Sequence, residues 1–127
     1  MIVGAYALGA YIKPRSTGDI DFWIEPSPEN ATKVYQSMIE FGAPLHNLSV
    51  EDLQKPGTIF QIGLPPLRID IITKISGVIF DEAWKDCAKH KVLDIEVPII
   101  SKKHIIQNKK ATGRPKDLLD LEELLKN

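Results

Sequence analysis

With 127 residues, 43% of them hydrophobic and 26% charged, the chain suits one domain with a core of its own and excludes neither enzyme nor binding module. A formal net charge of −1 excludes a global basic field for nucleic acid, although a local cluster of cations can still serve a small phosphate ligand. The single cysteine, Cys87, excludes an intramolecular disulfide and fits a cytoplasmic protein. With no catalytic histidine beside it, it reads as a small packed residue rather than a nucleophile.

Met1–Val3 reads as the end of a buried strand, and Gly4 as the turn into a short helix over Ala5–Tyr11. The uncharged stretch Met1–Ile12 falls short of the about 20 apolar residues a bilayer span needs, and it lacks a signal peptide's basic start. No membrane association is expected. The chain starts almost inside an element, so an element that ordinarily precedes this strand is expected to be absent or supplied by another subunit.

A basic loop, Lys13-Pro-Arg-Ser-Thr-Gly18, leads into a strand over Asp19–Glu25. Pro26-Ser-Pro28 stops that strand. Ser27 caps a helix over Glu29–Phe41, whose Val34, Met38 and Phe41 recur at helical spacing beside Tyr35 and Ile39, until Gly42 ends it. Residues 43 to 57 read as loop with one turn at Val50–Gln54. Thr58–Ile62 and Leu67–Thr73 read as strands joined at Gly63-Leu-Pro-Pro66. A short helix over Phe80–Ala88 and an extended segment over Val92–Ile100 follow. Ser101 caps a helix to about Lys110, and Gly113 ends it. The last helix starts near Pro115, with Leu118, Leu121 and Leu125 as its buried face and Leu119 and Leu124 flanking it. The pattern is that of a single α/β domain over residues 1–127, a mixed β-sheet flanked by helices.

Alternation along Asp19-Ile-Asp-Phe-Trp23 places Asp19, Asp21 and Trp23 on one strand face and Ile20, Phe22 and Ile24 on the other. Two carboxylates so close repel unless a cation or solvent intervenes, and oxygen-ligated divalent ions make such a pair useful. In Leu67-Arg-Ile-Asp-Ile-Ile-Thr73 the same rule puts Arg68, Asp70 and Ile72 together. An aspartate among Ile69, Ile71, Ile72 and Ile75 is costly unless solvated or paired. If the two strands are neighbours, Asp70 completes a three-carboxylate cluster that could share two Mg²⁺ about 4 Å apart, clamping an in-line phosphoryl displacement.

Asp94 and Glu96 also alternate, but no glycine-rich or basic segment precedes them. They read as the solvated face of an edge strand. A glycine between strand and helix, as at Gly4, lets backbone N–H groups approach a phosphate. Arg15 and Lys13 are positioned in sequence to neutralise phosphate or pair with the acids. Lys109, Lys110, Arg114 and Lys116 crowd around Thr112-Gly113, either as a solvated helix end or facing phosphate. His46, His90 and His104 lack zinc spacing and read as surface or hydrogen-bonded structural residues. There is no nucleophile elbow and no Walker-type loop.

Taken together, Ile2-Val-Gly-Ala-Tyr-Ala-Leu8, Pro14-Arg-Ser-Thr-Gly-Asp-Ile-Asp-Phe22 and Arg68-Ile-Asp-Ile71 resemble the nucleotidyltransferase-fold superfamily, specifically its small prokaryotic members (minimal nucleotidyltransferase or AbiEii-like). The C-terminal Lys110-Ala-Thr-Gly-Arg-Pro-Lys-Asp-Leu-Leu-Asp120 resembles their closing motif, so the likeness spans nearly the whole chain. The resemblance implies that Asp19, Asp21 and Asp70 bind Mg²⁺ or Mn²⁺, with Asp70 also the base for the acceptor hydroxyl. It implies that Gly4 and Ala5, with Arg15, Lys109, Arg114 and Lys116, hold a nucleoside triphosphate donor. A nucleoside monophosphate would pass to a hydroxyl on an RNA end, a protein or a small molecule, releasing pyrophosphate. A cognate toxin or antitoxin partner, or a role in phage defence, is implied by the same relatives, and homo-oligomers are compatible with it. Ala5 stands where the pattern has Gly or Ser, which removes a phosphate-binding hydroxyl but leaves backbone donors. This departure favours an alternative, a catalytically degenerate nucleotide- or partner-binding protein. A nucleotide-sugar glycosyltransferase ranks lower, the chain being short for a two-part site.

Overall fold

Helix boundaries in the chain follow cap chemistry. In the computed structural model, which describes residues 1–14, 17–64 and 66–126, Ser27 accepts a hydrogen bond from the Asn30 N–H at the start of one helix and Ser101 from the His104 N–H at the start of another. Gly42 and Gly113 end these helices in left-handed conformation, as their lack of a Cβ allows.

The elements run β1 (Ile2–Val3), α1 (Gly4–Leu8), β2 (Asp19–Trp23), α2 (Pro28–Phe41), a 3₁₀ turn at Asp52–Gln54, β3 (Ile59–Leu64), β4 (Leu67–Ile72), α3 (Phe80–Asp86), β5 (Ala88–Val92), β6 (Ile95–Ile99), α4 (Lys102–Thr112) and α5 (Pro115–Lys126). The strands form one mixed six-stranded open sheet in the order β3-β4-β2-β1-β6-β5. The β3–β4 and β5–β6 pairs are antiparallel hairpins, β1 is antiparallel to β2, and β2–β4 and β1–β6 are parallel.

Strand alternation sorts the core into two layers. On one face Val3, Trp23 and Ile99 pack with Ala7, Leu8, Ala83, Ile105 and Leu124 from α1, α3, α4 and α5. There Trp23 meets Phe80 edge to face, with centroids 5.0 Å apart, a favoured aromatic geometry. On the other face Ile24 and Ile71 pack with Ala31 and Met38 of α2, Leu48, and Leu53 of the 3₁₀ turn. The sheet is thus covered on both sides. Its first face becomes polar towards the start of β2, where Asp19 and Asp21 continue the line of Trp23.

Several expectations are corrected. The first helix ends at Leu8 rather than Tyr11; the Tyr11 hydroxyl instead donates to the Ile100 carbonyl at 2.7 Å. Ala88–Val92 is a strand that forms the sheet edge beyond β6. The extended segment expected from Val92 is therefore the second arm of a hairpin, and Asp94 lies in its turn beside Leu93, whose φ is 56°. In α5 the buried residues are Asp117, Asp120, Leu121 and Leu124, while Leu118, Leu119 and Leu125 are exposed. In α2, Phe41 and Ile39 are exposed and Ala31 and Met38 are buried. No described helix is long and apolar enough to cross a membrane.

Candidate functional site

The parallel register of β2 and β4 sets Asp21 opposite Asp70 and Asp19 opposite Arg68. Because side chains alternate identically on paired strands, all four project to the same face. This juxtaposition is absent from the linear sequence, where Asp21 and Asp70 are far apart.

Together they form the floor of a cavity of about 490 Å³, lined also by Gly4, Ala5, Leu8, Thr17, Lys109, Arg114, Lys116 and Asp120. The residues that the resemblance assigns to the site line this one cavity, apart from Arg15, which lies outside the described residues; Lys13 and Lys110 do not line it. Its lining holds four aspartates and four cationic side chains.

Gly4 reaches the site by packing rather than as a spacer alone. Its φ is +70°, and a Cβ there would collide with Asp21 Oδ2. Glycine at this position therefore leaves room for the Asp21 carboxylate, and its left-handed backbone is one that side chains rarely adopt. At the mouth of β2, a Cβ on Gly18 would overlap the Pro66 carbonyl, so glycine also lets the β3–β4 hairpin approach. The Arg68 N–H donates to the Gly18 carbonyl at 3.0 Å, and the Asp19 N–H donates to Thr17 Oγ1 at 3.3 Å.

The three carboxylates are unequally compensated. Arg68 Nε lies 2.9 Å from Asp70 Oδ1 and its Nη2 3.2 Å from Asp70 Oδ2, a two-pronged contact, while the same Nη2 is 3.3 Å from Asp19 Oδ2. Among the described residues Asp21 has no ion pair. Burial, repulsion from Asp70, a hydrogen bond shared with Asp70 and repulsion from Asp19 push its carboxyl above the usual range, and the Arg68 charge only partly offsets this.

The opposite wall is fully compensated. Asp117 is fully buried and accepts from Lys109 Nζ at 3.1 Å, from the Arg114 backbone N–H at 3.2 Å and from Arg114 Nε at 2.7 Å. The backbone contact satisfies an orphan donor at the start of α5, half of a capping box. Burial pushes Asp117 up, but hydrogen bonds from Arg114, Thr112 and Lys109 with the Lys109 charge outweigh it and hold it well below the usual carboxylate range. Lys109 Nζ is also 3.1 Å from Asp120 Oδ2, with its side chain only 13% exposed. The expected phosphate-facing role of Lys109 and Arg114 therefore has to be read beside their ion pairs: both line the cavity while tied to α5. Lys116 is exposed at the rim.

The sequence had not marked Asp117, Asp120, Thr17 or Leu8 as site residues, and had placed Arg68 on the Asp70 face without a role. The spacing of Asp117 and Asp120 with Leu121 and Leu124 was the available signal, since those four share one helix stripe. His104 is a buried structural residue, its Nδ1 3.0 Å from Ser101 Oγ.

Three carboxylates on one floor supply the hard oxygen donors that divalent ions prefer. Among the described residues no three His, Cys, Asp or Glu side chains form a group that could hold an ion, and Arg68 is paired with both Asp19 and Asp70. The donor chemistry fits, and the guanidinium occupies part of it. No family model matches the sequence, and no curated protein matches it.

Proposed function

We propose that the chain is a metal-dependent nucleotidyltransferase of nucleotidyltransferase-like fold, acting at the Asp19–Asp21–Asp70 floor. The observation that carries this reading is the register that sets Asp21 against Asp70, next to a glycine shaped to the Asp21 carboxylate. A core-packing role would not gather carboxylates on a cavity floor and leave one of them, among the described residues, without an ion pair.

In this reading Asp19, Asp21 and Asp70 hold Mg²⁺ or Mn²⁺. When bound, that ion neutralises a nucleoside triphosphate and polarises the phosphorus under attack. Asp70 sits at the inner end of the cavity, 8% exposed, and takes the proton of the acceptor hydroxyl. Lys116 and Arg114, at the rim, attract the triphosphate, and the backbone at Gly4 and Ala5 closes on it. Holding donor and acceptor in line supplies most of the rate, since positioning converts a bimolecular step into an effectively unimolecular one.

The test is transfer of α-labelled nucleotide from each of the four nucleoside triphosphates, with Mn²⁺, to RNA ends, to proteins and to the chain itself. Metal-dependent labelling with pyrophosphate release that disappears in Asp21→Asn supports the reading. Labelling that survives in both Asp19→Asn and Asp21→Asn contradicts it. The ion pairs of Arg68 with Asp19 and Asp70 favour a second reading, a nucleotide-binding protein of the same fold without catalysis. Tight nucleotide binding with no transfer to any acceptor supports that one.

A further inference from the structure

Among the described residues, Arg68 is the cation planted on the acidic floor itself. It lies on β4 opposite Asp19, 25% exposed and spanning two of the three carboxylates. The oxygens it holds, Asp19 Oδ2 and both of Asp70, are ones a divalent ion would need. A guanidinium cannot shed its proton in a protein. It can therefore make way for a second cation only by moving, and the two positive charges repel at this range.

We infer that Arg68 is a built-in counter-cation of this site, a positioning residue that holds Asp19 and Asp70 until a divalent ion replaces it and then turns its fork to the donor phosphate. This rests on the nucleotidyltransferase reading of the same floor. Its planar fork matches phosphate as well as carboxylate, so the displaced group finds its next partner inside the same cavity. The consequence is a threshold: free cation binds weakly, because it competes with an internal charge. Cation arriving with a polyphosphate binds well, because the polyphosphate receives the displaced arginine.

The experiment is titration of the full chain with Mn²⁺ alone, followed by the electron paramagnetic resonance signal of the free ion. Wild type, Arg68→Gln and Arg68→Lys are compared, with circular dichroism confirming the fold of each. Arg68→Gln is expected to bind Mn²⁺ roughly tenfold more tightly than wild type, within the range of ordinary coupling between sites. Arg68→Lys is expected to fall between them, since an ammonium keeps the charge but loses the two-pronged grip. Equal or weaker binding by folded Arg68→Gln overturns the inference while leaving the nucleotidyltransferase reading intact. If Arg68→Gln does not fold, Arg68→Lys decides: tighter binding than wild type supports the inference, and equality overturns it. Absence of Mn²⁺ binding at millimolar concentration in every protein overturns both.

Discussion

Two carboxylate groups face each other across one cavity, and they are built to opposite rules. On the α5 wall, Asp117 and Asp120 are buried against Lys109, with Arg114 closing on Asp117. On the sheet floor, Asp21 and Asp70 are set against each other, and the Arg68 guanidinium pairs with Asp19 and Asp70. The wall is compensated by its own ion pairs in the free protein. Among the described residues the floor leaves Asp21 without an ion pair, an arrangement that folding alone would not favour. Stability is therefore expected to reside in the wall and chemistry in the floor.

The largest expected effect breaks the floor. Asp21→Asn or Asp70→Asn is expected to lower the proposed nucleotidyl transfer about 10²–10³-fold, the loss seen when one preorganised electrostatic group is removed; labelled-nucleotide transfer at saturating Mn²⁺ measures it. Next comes the wall. Asp117→Ala removes the carboxylate that Lys109 and Arg114 share, leaving Lys109 with Asp120 alone, and is expected to destabilise by about 3 kcal/mol, read from urea unfolding. A loss under about 1 kcal/mol would remove the distinction between the two groups.

Gly4→Ala tests the contact that joins α1 to the floor. A methyl there meets Asp21 Oδ2 on a backbone at φ +70°, and the expected cost is about 1–3 kcal/mol, together with loss of metal binding as Asp21 is displaced.

The smallest effect concerns pH and has opposite signs in the two groups. The pKa of Asp117 is depressed from 3.8, so its contribution to stability is present above that unfolded value and is lost as pH falls through the folded one. That of Asp21 is raised from 3.8, so its contribution is present below that value and is lost as pH rises through the folded one. Asp21→Asn should therefore flatten the stability curve just above pH 3.8. At neutral pH it should stabilise slightly, on the order of 0.2–1 kcal/mol, as expected for relief of like charges directly opposite in a sheet. Asp117→Asn should flatten the curve on the acid side. Denaturant unfolding at a series of pH values separates the two.

How much of this was legible in the sequence depended on whether the signal was local. Ser27, Gly42, Ser101 and Gly113 mark helix ends by chemistry confined to a few residues, and all four act as expected. The alternation of Asp19, Asp21 and Trp23 likewise survives folding, because period two is a property of the strand itself. The buried stripe of α5 did not follow from its leucines. Lys109, on the preceding helix, supplies the partner that lets Asp117 and Asp120 go inside, and leucines were displaced to the surface. Strand β5 has no apolar pattern at Lys89, His90 and Lys91 to mark it in the sequence; these residues suit an edge, where charge discourages further pairing. The register that sets Asp21 against Asp70 and hands Asp19 to Arg68 is a long-range fact. No single segment encodes it.

The most direct test of the central claim, that the carboxylate floor binds a metal–nucleotide pair, needs no acceptor. Binding of a non-hydrolysable nucleoside triphosphate is measured calorimetrically with and without Mn²⁺, in wild type and in Asp21→Asn. Wild type is predicted to bind only when Mn²⁺ is present, and Asp21→Asn to bind in neither condition. Binding that is indifferent to both the metal and the substitution would contradict it.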